Sequence, residues 1–192
     1  MTVTNVTSCE SDVDRHIQNF LSDRNNSWKV IGLDIERTFV QDSHETEENS
    51  KKKSRVAILE LCDGFTCLVI QLPYLDFIPN SLLNFLQLPD FTFVGIGIKE
   101  TVAKLEEEYG LGCKNAVELG QLAASVMRNP NLAACGVGAL ANVIIPLQLS
   151  KHTSVVFSDW GRKNLNKDQL KVATANAYAF FKIGAELLSR SD

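Results

Sequence analysis

Residues 28–36, WKVIGLDIE, have the apolar content and alternation of a β-strand, and they set two carboxylates, Asp34 and Glu36, among Val30, Ile31, Leu33 and Ile35. Successive side chains on a strand point to opposite faces, so the two acids project from the same one. Uncompensated burial of carboxylates is costly, and the common remedies are basic partners or a bound cation. A sheet edge open to solvent, or Arg37 close by, would also accommodate the pair.

The rest of the chain alternates strand and helix signals. VAILEL at 56–61 and FTCLVI at 65–70 flank Cys62-Asp63-Gly64, and Asp-Gly supplies the positive φ of a tight hairpin turn. Residues 41–55 read as a solvated loop in which Glu45, Glu47 and Glu48 run into Lys51, Lys52 and Lys53. Pro79 suits the first position of a short helix carrying Leu82, Leu83, Phe85 and Leu86. FTFVGIGI at 91–98 reads as a central strand, and Val102, Leu105 and Tyr109 recur at helical spacing up to Gly110, a left-handed C-cap. A short strand at 116–117 precedes small-residue helices at 119–128 and 138–145, with Asn129-Pro130 and Pro146 as breakers. Asn166 is the expected N-cap of a last helix running to Leu188, with Gln169 bonding back to it. Apolar residues on two stripes of that helix predict packing on more than one side. This order argues for an α/β fold: a mixed sheet with an antiparallel hairpin attached, flanked by helices.

At 192 residues the chain suffices for one sizeable core. The formal charge of -4 gives the whole molecule no cationic field, so polynucleotide binding would be local, and the basic character lies at the C-terminal end. Five cysteines without a C-x-x-C pair read as reduced thiols and an intracellular setting, nucleus or cytoplasm. No run of about 18 apolar residues predicts a membrane span.

D-I-E on the first strand, the apolar hairpin, V-G-I-G-I leading into a K-L helix, V-E-L, and S-D-W before a long Q-L-x-x-A-x-x-x-A-Y-A helix resemble, in order and spacing, the 3'-5' exonucleases of the DEDD superfamily. The similarity is to the Werner syndrome exonuclease-like branch (DnaQ-like, RNase D-like). It covers about Trp28 to Leu188, so that 1–27 forms an N-terminal extension and 28–192 the exonuclease-like domain. The resemblance implies an RNase H-like single domain, three antiparallel strands then parallel ones, acting on DNA or RNA 3' ends. In that family an Asp and a Glu of the first motif, an Asp of the second and an Asp of the third hold two divalent metals, and a Tyr of the third orients the attacking water. Such a metal pair activates water and stabilises the leaving oxygen, and several acids must offset its charge.

Carried over residue by residue, Asp34 and Glu36 match the first motif and are the expected metal ligands. Thr101 stands at the second-motif Asp, with Glu100 one residue earlier, a displacement of about 100° around a helix. Val172 stands at the Tyr and Asn176 at the last Asp. The catalytic positions are therefore Asp34, Glu36, Thr101, Val172 and Asn176, with two of the four acids gone. Mg²⁺ is usually held through carboxylates, so the expectation is at most one weakly bound Mg²⁺ or Mn²⁺ and hydrolysis weak or lost.

Arg162, Lys163, Lys167 and Lys171 are the candidates for phosphate contacts, although a solvated helix face also explains them. His152 reads as a surface side chain, Trp160 as core, and Asp159 as a turn or cap. Gly95 and Gly97 read as close backbone packing. The rival reading is a non-catalytic interaction or scaffold protein on an inherited exonuclease fold. Self-association as a homo-oligomer would then involve the apolar segment 131–145.

Overall fold

The computed structural model of the protein describes residues 2–40, 53–149, 155 and 158–190. Six strands form one mixed sheet: β1 (Val3–Thr7), β2 (Val30–Val40), β3 (Lys53–Cys62), β4 (Thr66–Ile70), β5 (Thr92–Gly95) and β6 (Ala116–Glu118), in the order β1-β4-β3-β2-β5-β6. Strands β2, β3 and β4 are antiparallel, β5 and β6 continue parallel to β2, and β1 pairs parallel with β4.

Strand alternation divides the core into two layers. Ile31, Leu33, Leu59, Leu61, Leu68, Ile70 and Phe93 point to one face. That face is covered by α1 (Glu10–Ser22), α2 (Asn80–Leu86) and α3 (Ile98–Tyr109). The ring of Phe85 from α2 lies 5.8 Å from Phe20 of α1 and 5.3 Å from Phe93 of β5, tying both helices to the sheet. The opposite face carries Val30, Ile58, Cys62, Cys67, Val69 and Val94. It lies under α4 (Leu119–Val126), α5 (Val137–Ile144) and the long α6 (Lys167–Ser189). Residues 2–27 thus add an edge strand and a helix to the same sheet and core.

The capping box expected at the start of α6 is present: Asn166 accepts from the Gln169 backbone, and the Gln169 side chain accepts from the Asn166 backbone, both at 2.9 Å. Gly110 ends α3 with φ 68°. Several boundaries differ from those read in the sequence. The strand predicted to reach Ile98 stops at Gly95, because Gly97 adopts φ 62° and α3 already starts at Ile98. Pro79 precedes α2 as its N-cap and is not its first helical residue. Strand β2 continues past Glu36 to Val40, and β3 already includes Lys53 to Arg55, which the loop reading had placed outside. The remainder of that loop, 41–52, lies outside the described residues, as does His152. In segment 131–145, Leu132, Leu140, Ala141 and Ile144 are buried against α6 within the domain.

Among the described residues no helix is long and apolar enough to cross a membrane.

Candidate active site

Asp34 and Glu36 stand on β2 on the face covered by α6, and small residues bring that helix down onto the strand. A Cβ on Gly32 would collide with the Ala177 carbonyl oxygen, and one on Gly184 would lie 2.8 Å from Val94. With Ala177 seated on Gly32, its neighbour Asn176 reaches the Asp34 carboxylate as a hydrogen-bonding partner. The other partner of Asp34 is the Ile35 backbone N–H, which donates to Oδ1 at 2.9 Å.

Arg37 does not neutralise this pair. The ladder shifts register between Glu36 and Arg37, with Ala57 the extra residue on β3. Arg37 leaves on the far side, where it donates to the Ser54 carbonyl at 2.6 Å and pairs with Glu108 of α3 at 3.2 Å. Glu108 also accepts from the Val56 N–H at 2.7 Å, at the bulge itself.

A third acid shares the site. Glu60 is the cross-strand partner of Asp34 and hence faces the same side. It is fully buried, and neither carboxyl oxygen has a hydrogen-bond partner among the described residues. Burial pushes Asp34 up to about 7, against the lowering effect of its Ile35 and Asn176 hydrogen bonds. Burial and then the Asp34 charge push Glu36 up to about 8. Glu60 is driven well above the carboxylate range, first by burial and then by Asp34 and Glu36. Sequence reading missed Glu60, although an acid inside VAILEL is the same signal that singled out Asp34.

The other predicted positions do not all converge. Thr101 lies in the first turn of α3, its N–H donating to the Gly97 carbonyl at 3.0 Å. Neither it nor Glu100 bonds to Asp34 or Glu36. The helix start is instead capped by Glu118, which accepts from the Ile98 N–H at 3.1 Å. Val172 packs beside the cluster of Trp160, Ala173 and Ala177. Asp159 accepts from the Gly161 N–H and the Thr38 hydroxyl, both at 3.0 Å, holding the loop before α6 against the end of β2.

The basic candidates gather elsewhere. Lys167 and Lys171 line a groove of about 370 Å³ with Thr2, Thr4 and Thr174, and Lys163 lines a neighbouring one of about 350 Å³ with Val6 and Gln71. Both grooves run between β1 and α6. The Arg162 and Lys163 carbonyls accept from the buried Gln71 side chain.

The carboxylate donors suit a hard cation such as Mg²⁺ or Mn²⁺. Half-buried Asp34 and Glu36 and fully buried Glu60, whose oxygens are both orphaned, have no basic partner among the described residues and need compensating charge. Among the described residues, however, no three acidic, histidine or cysteine side chains converge into a ready cage.

Known proteins show the same architecture. No family model matches the chain. The mouse exonuclease 3'-5' domain-containing protein 2 is 28% identical over 167 residues, covering 84% of this chain and 24% of the relative. The chain therefore spans about a quarter of that protein's length. Escherichia coli RNase D, an exoribonuclease, superposes with a TM-score of 0.77 at 17% identity, over 100% of this chain and 45% of its own. The EXD2 exonuclease domain soaked in Mn gives 0.51 at 23% identity, over 97% and 90%. The resemblance read from the motifs is borne out in relatives and fold: the chain is similar in sequence to 3'-5' exonuclease domain proteins and has the fold of RNase D and the EXD2 exonuclease domain.

Proposed function

We propose that this exonuclease-type domain binds a nucleic-acid 3' end beside Asp34 and Glu36, with metal-dependent phosphodiester hydrolysis reduced relative to a complete four-acid site. The observation that carries this reading is the seating of Ala177 on Gly32, which brings its neighbour Asn176 beside Asp34. At the position where the family resemblance calls for a fourth carboxylate stands a neutral amide. Asp34 and Glu36 would hold one Mg²⁺ or Mn²⁺, which when bound supplies Lewis-acid charge stabilisation and water activation.

The chain's own groups then account for the loss. Asn176 fixes the Asp34 carboxylate in place but brings no charge of its own. Val172 offers no polar atom to orient a water molecule. Thr101 is a neutral hydroxyl at the helix start, where the resemblance calls for a ligating acid. Binding without cutting is the second reading, favoured by the packing of Val172 beside Trp160 and Ala173.

The test is hydrolysis of a 5'-labelled single strand in Mn²⁺. The double variant Thr101→Asp with Asn176→Asp should cleave faster than the natural sequence, and Glu36→Ala should abolish both activities. A folded double variant with no gain would overturn the charge argument. Binding of the strand with no cleavage by the natural protein would favour the second reading.

A further inference from the structure

The lysine stripe of α6 does not end at Lys171. At about 100° per residue, Lys167, Lys171, Tyr178 and Lys182 fall within about 60° of one another around the helix. None of these three lysines pairs with an acid among the described residues. Tyr178 is the aromatic member of the stripe, half-buried and packed against the cluster of Trp160, Ala173 and Ala177. It stands between two grooves. On the β1 side it lines the groove of about 370 Å³ with Lys171 and Thr174. On the other side it lines a groove of about 420 Å³ with Ile145, Pro146, Leu147 and Lys182. The wall facing Tyr178 there is apolar, a turn in which the Leu147 N–H donates to the Ile145 carbonyl at 2.7 Å. Glu186 lines this groove too, but Arg190 pairs with it at 2.8 Å, which leaves the Lys182 ammonium as the uncompensated charge. An aromatic face opposite an apolar wall, with a cation beside it, suits an unpaired nucleobase and its phosphate, because every base offers a π-face whatever its sequence.

We propose that the groove between residues 145–147 and α6 is a nucleobase slot, in which Tyr178 stacks one base of a single strand and Lys182 holds the adjoining phosphate. The proposal rests on the reading of this domain as a binder of nucleic acid. It continues the track of Lys163, Lys167 and Lys171 along α6. Asn176 lies about 160° around the helix from Tyr178, so the stacked base belongs to the strand away from its 3' end. With a formal charge of -4 on the whole molecule, a strand on this face depends on local contacts of this kind.

The test is the affinity of the full chain, by fluorescence anisotropy at fixed salt, for a labelled oligothymidylate and for a strand of equal length whose sugars carry no bases. The natural protein should bind the base-bearing strand more tightly. Tyr178→Leu should weaken that strand at least about fivefold and leave the abasic strand unchanged, a split that a merely structural role would not produce. Tyr178→Phe, which keeps the ring, should retain the natural affinity for both. Lys182→Ala should lower the slope of log affinity against log salt by about 0.7. If Tyr178→Leu does not fold, Tyr178→Met, flexible and apolar, carries the same expectation. Equal affinity of the natural protein for the two strands, equal weakening of both in Tyr178→Leu, or an unaltered slope in Lys182→Ala would overturn the slot alone. No binding of either strand by the natural protein would overturn the nucleic-acid reading and the slot with it.

Discussion

Gly32 of β2 and Ala177 of α6 meet backbone to backbone, with no space for a Cβ between them. This contact sets the depth at which α6 lies on the sheet, and hence the reach of Asn176 to Asp34 two residues beyond Gly32. Gly32→Ala must lift the helix or bend the strand, an overpacking cost of about 1–3 kcal/mol or more. Urea unfolding should show that loss, and Mn²⁺ binding should weaken beyond it because Asp34 loses its partner. Unchanged stability would mean that the helix floats freely on β2.

Raised carboxyl values imply a definite pH dependence. A buried acid whose folded-state pKa lies above its unfolded value binds more protons when folded, so its contribution is fully present below the unfolded value and is lost as pH rises through the folded one. For Asp34 that interval runs from 3.8 to about 7, and for Glu36 from 4.5 to about 8. In chelator, the melting temperature should therefore fall between pH 5 and 8.5, by roughly 5 °C or more for a domain of this size. Saturating Mn²⁺ should flatten the curve, and the variant Asp34→Asn with Glu36→Gln should flatten it without metal. A rise in melting temperature over that interval would contradict the burial of these groups.

Glu108 performs two tasks on the opposite face, receiving the Val56 N–H at the bulge and pairing with a half-buried Arg37. Its removal strands the buried Val56 N–H, while the partly exposed Arg37 keeps its bonds to Ser54. Glu108→Ala should cost about 1–3 kcal/mol, the cost of one unsatisfied buried group. Slower hydrogen exchange is expected at the Val56 amide in the natural protein than in the variant. Equal protection in the two would remove Glu108 from the account of the bulge.

How much of this was legible depended on range. The capping box of α6 lies within four residues, so Asn166 and Gln169 could be paired from the sequence alone, and the structure has both bonds. Asp34 and Glu36 were legible for the same reason, because strand alternation fixes their common face locally. Glu60 was legible as an acid inside an apolar strand, but its place opposite Asp34 was not, since that depends on a register that no local pattern specifies. The edge strand β1 was also hidden: its Thr, Asn and Val residues form a short strand that exists through pairing with β4. Gly97 misled the strand reading, because alternation continues through a glycine whose positive φ breaks the strand.

The position of the lysines leads to the last expectation. Lys167, Lys171 and Thr174 recur at one face of α6, and the Thr174 hydroxyl lies 2.9 Å from that of Thr4, so this face looks toward β1. Val172 and Asn176 are turned well away from it, at about 100° per residue. Phosphates held by Lys163, Lys167 and Lys171 would therefore belong to nucleotides away from the end at Asp34. Replacing all three by alanine should weaken binding of a single strand and reduce the slope of log affinity against log salt by about 2, at about 0.7 per lost contact. Mn²⁺ binding should be unchanged, because these side chains line the β1–α6 grooves and do not touch the carboxylates. An unaltered salt slope would assign the lysines to a solvated face and leave nucleic-acid contact to the carboxylate end alone.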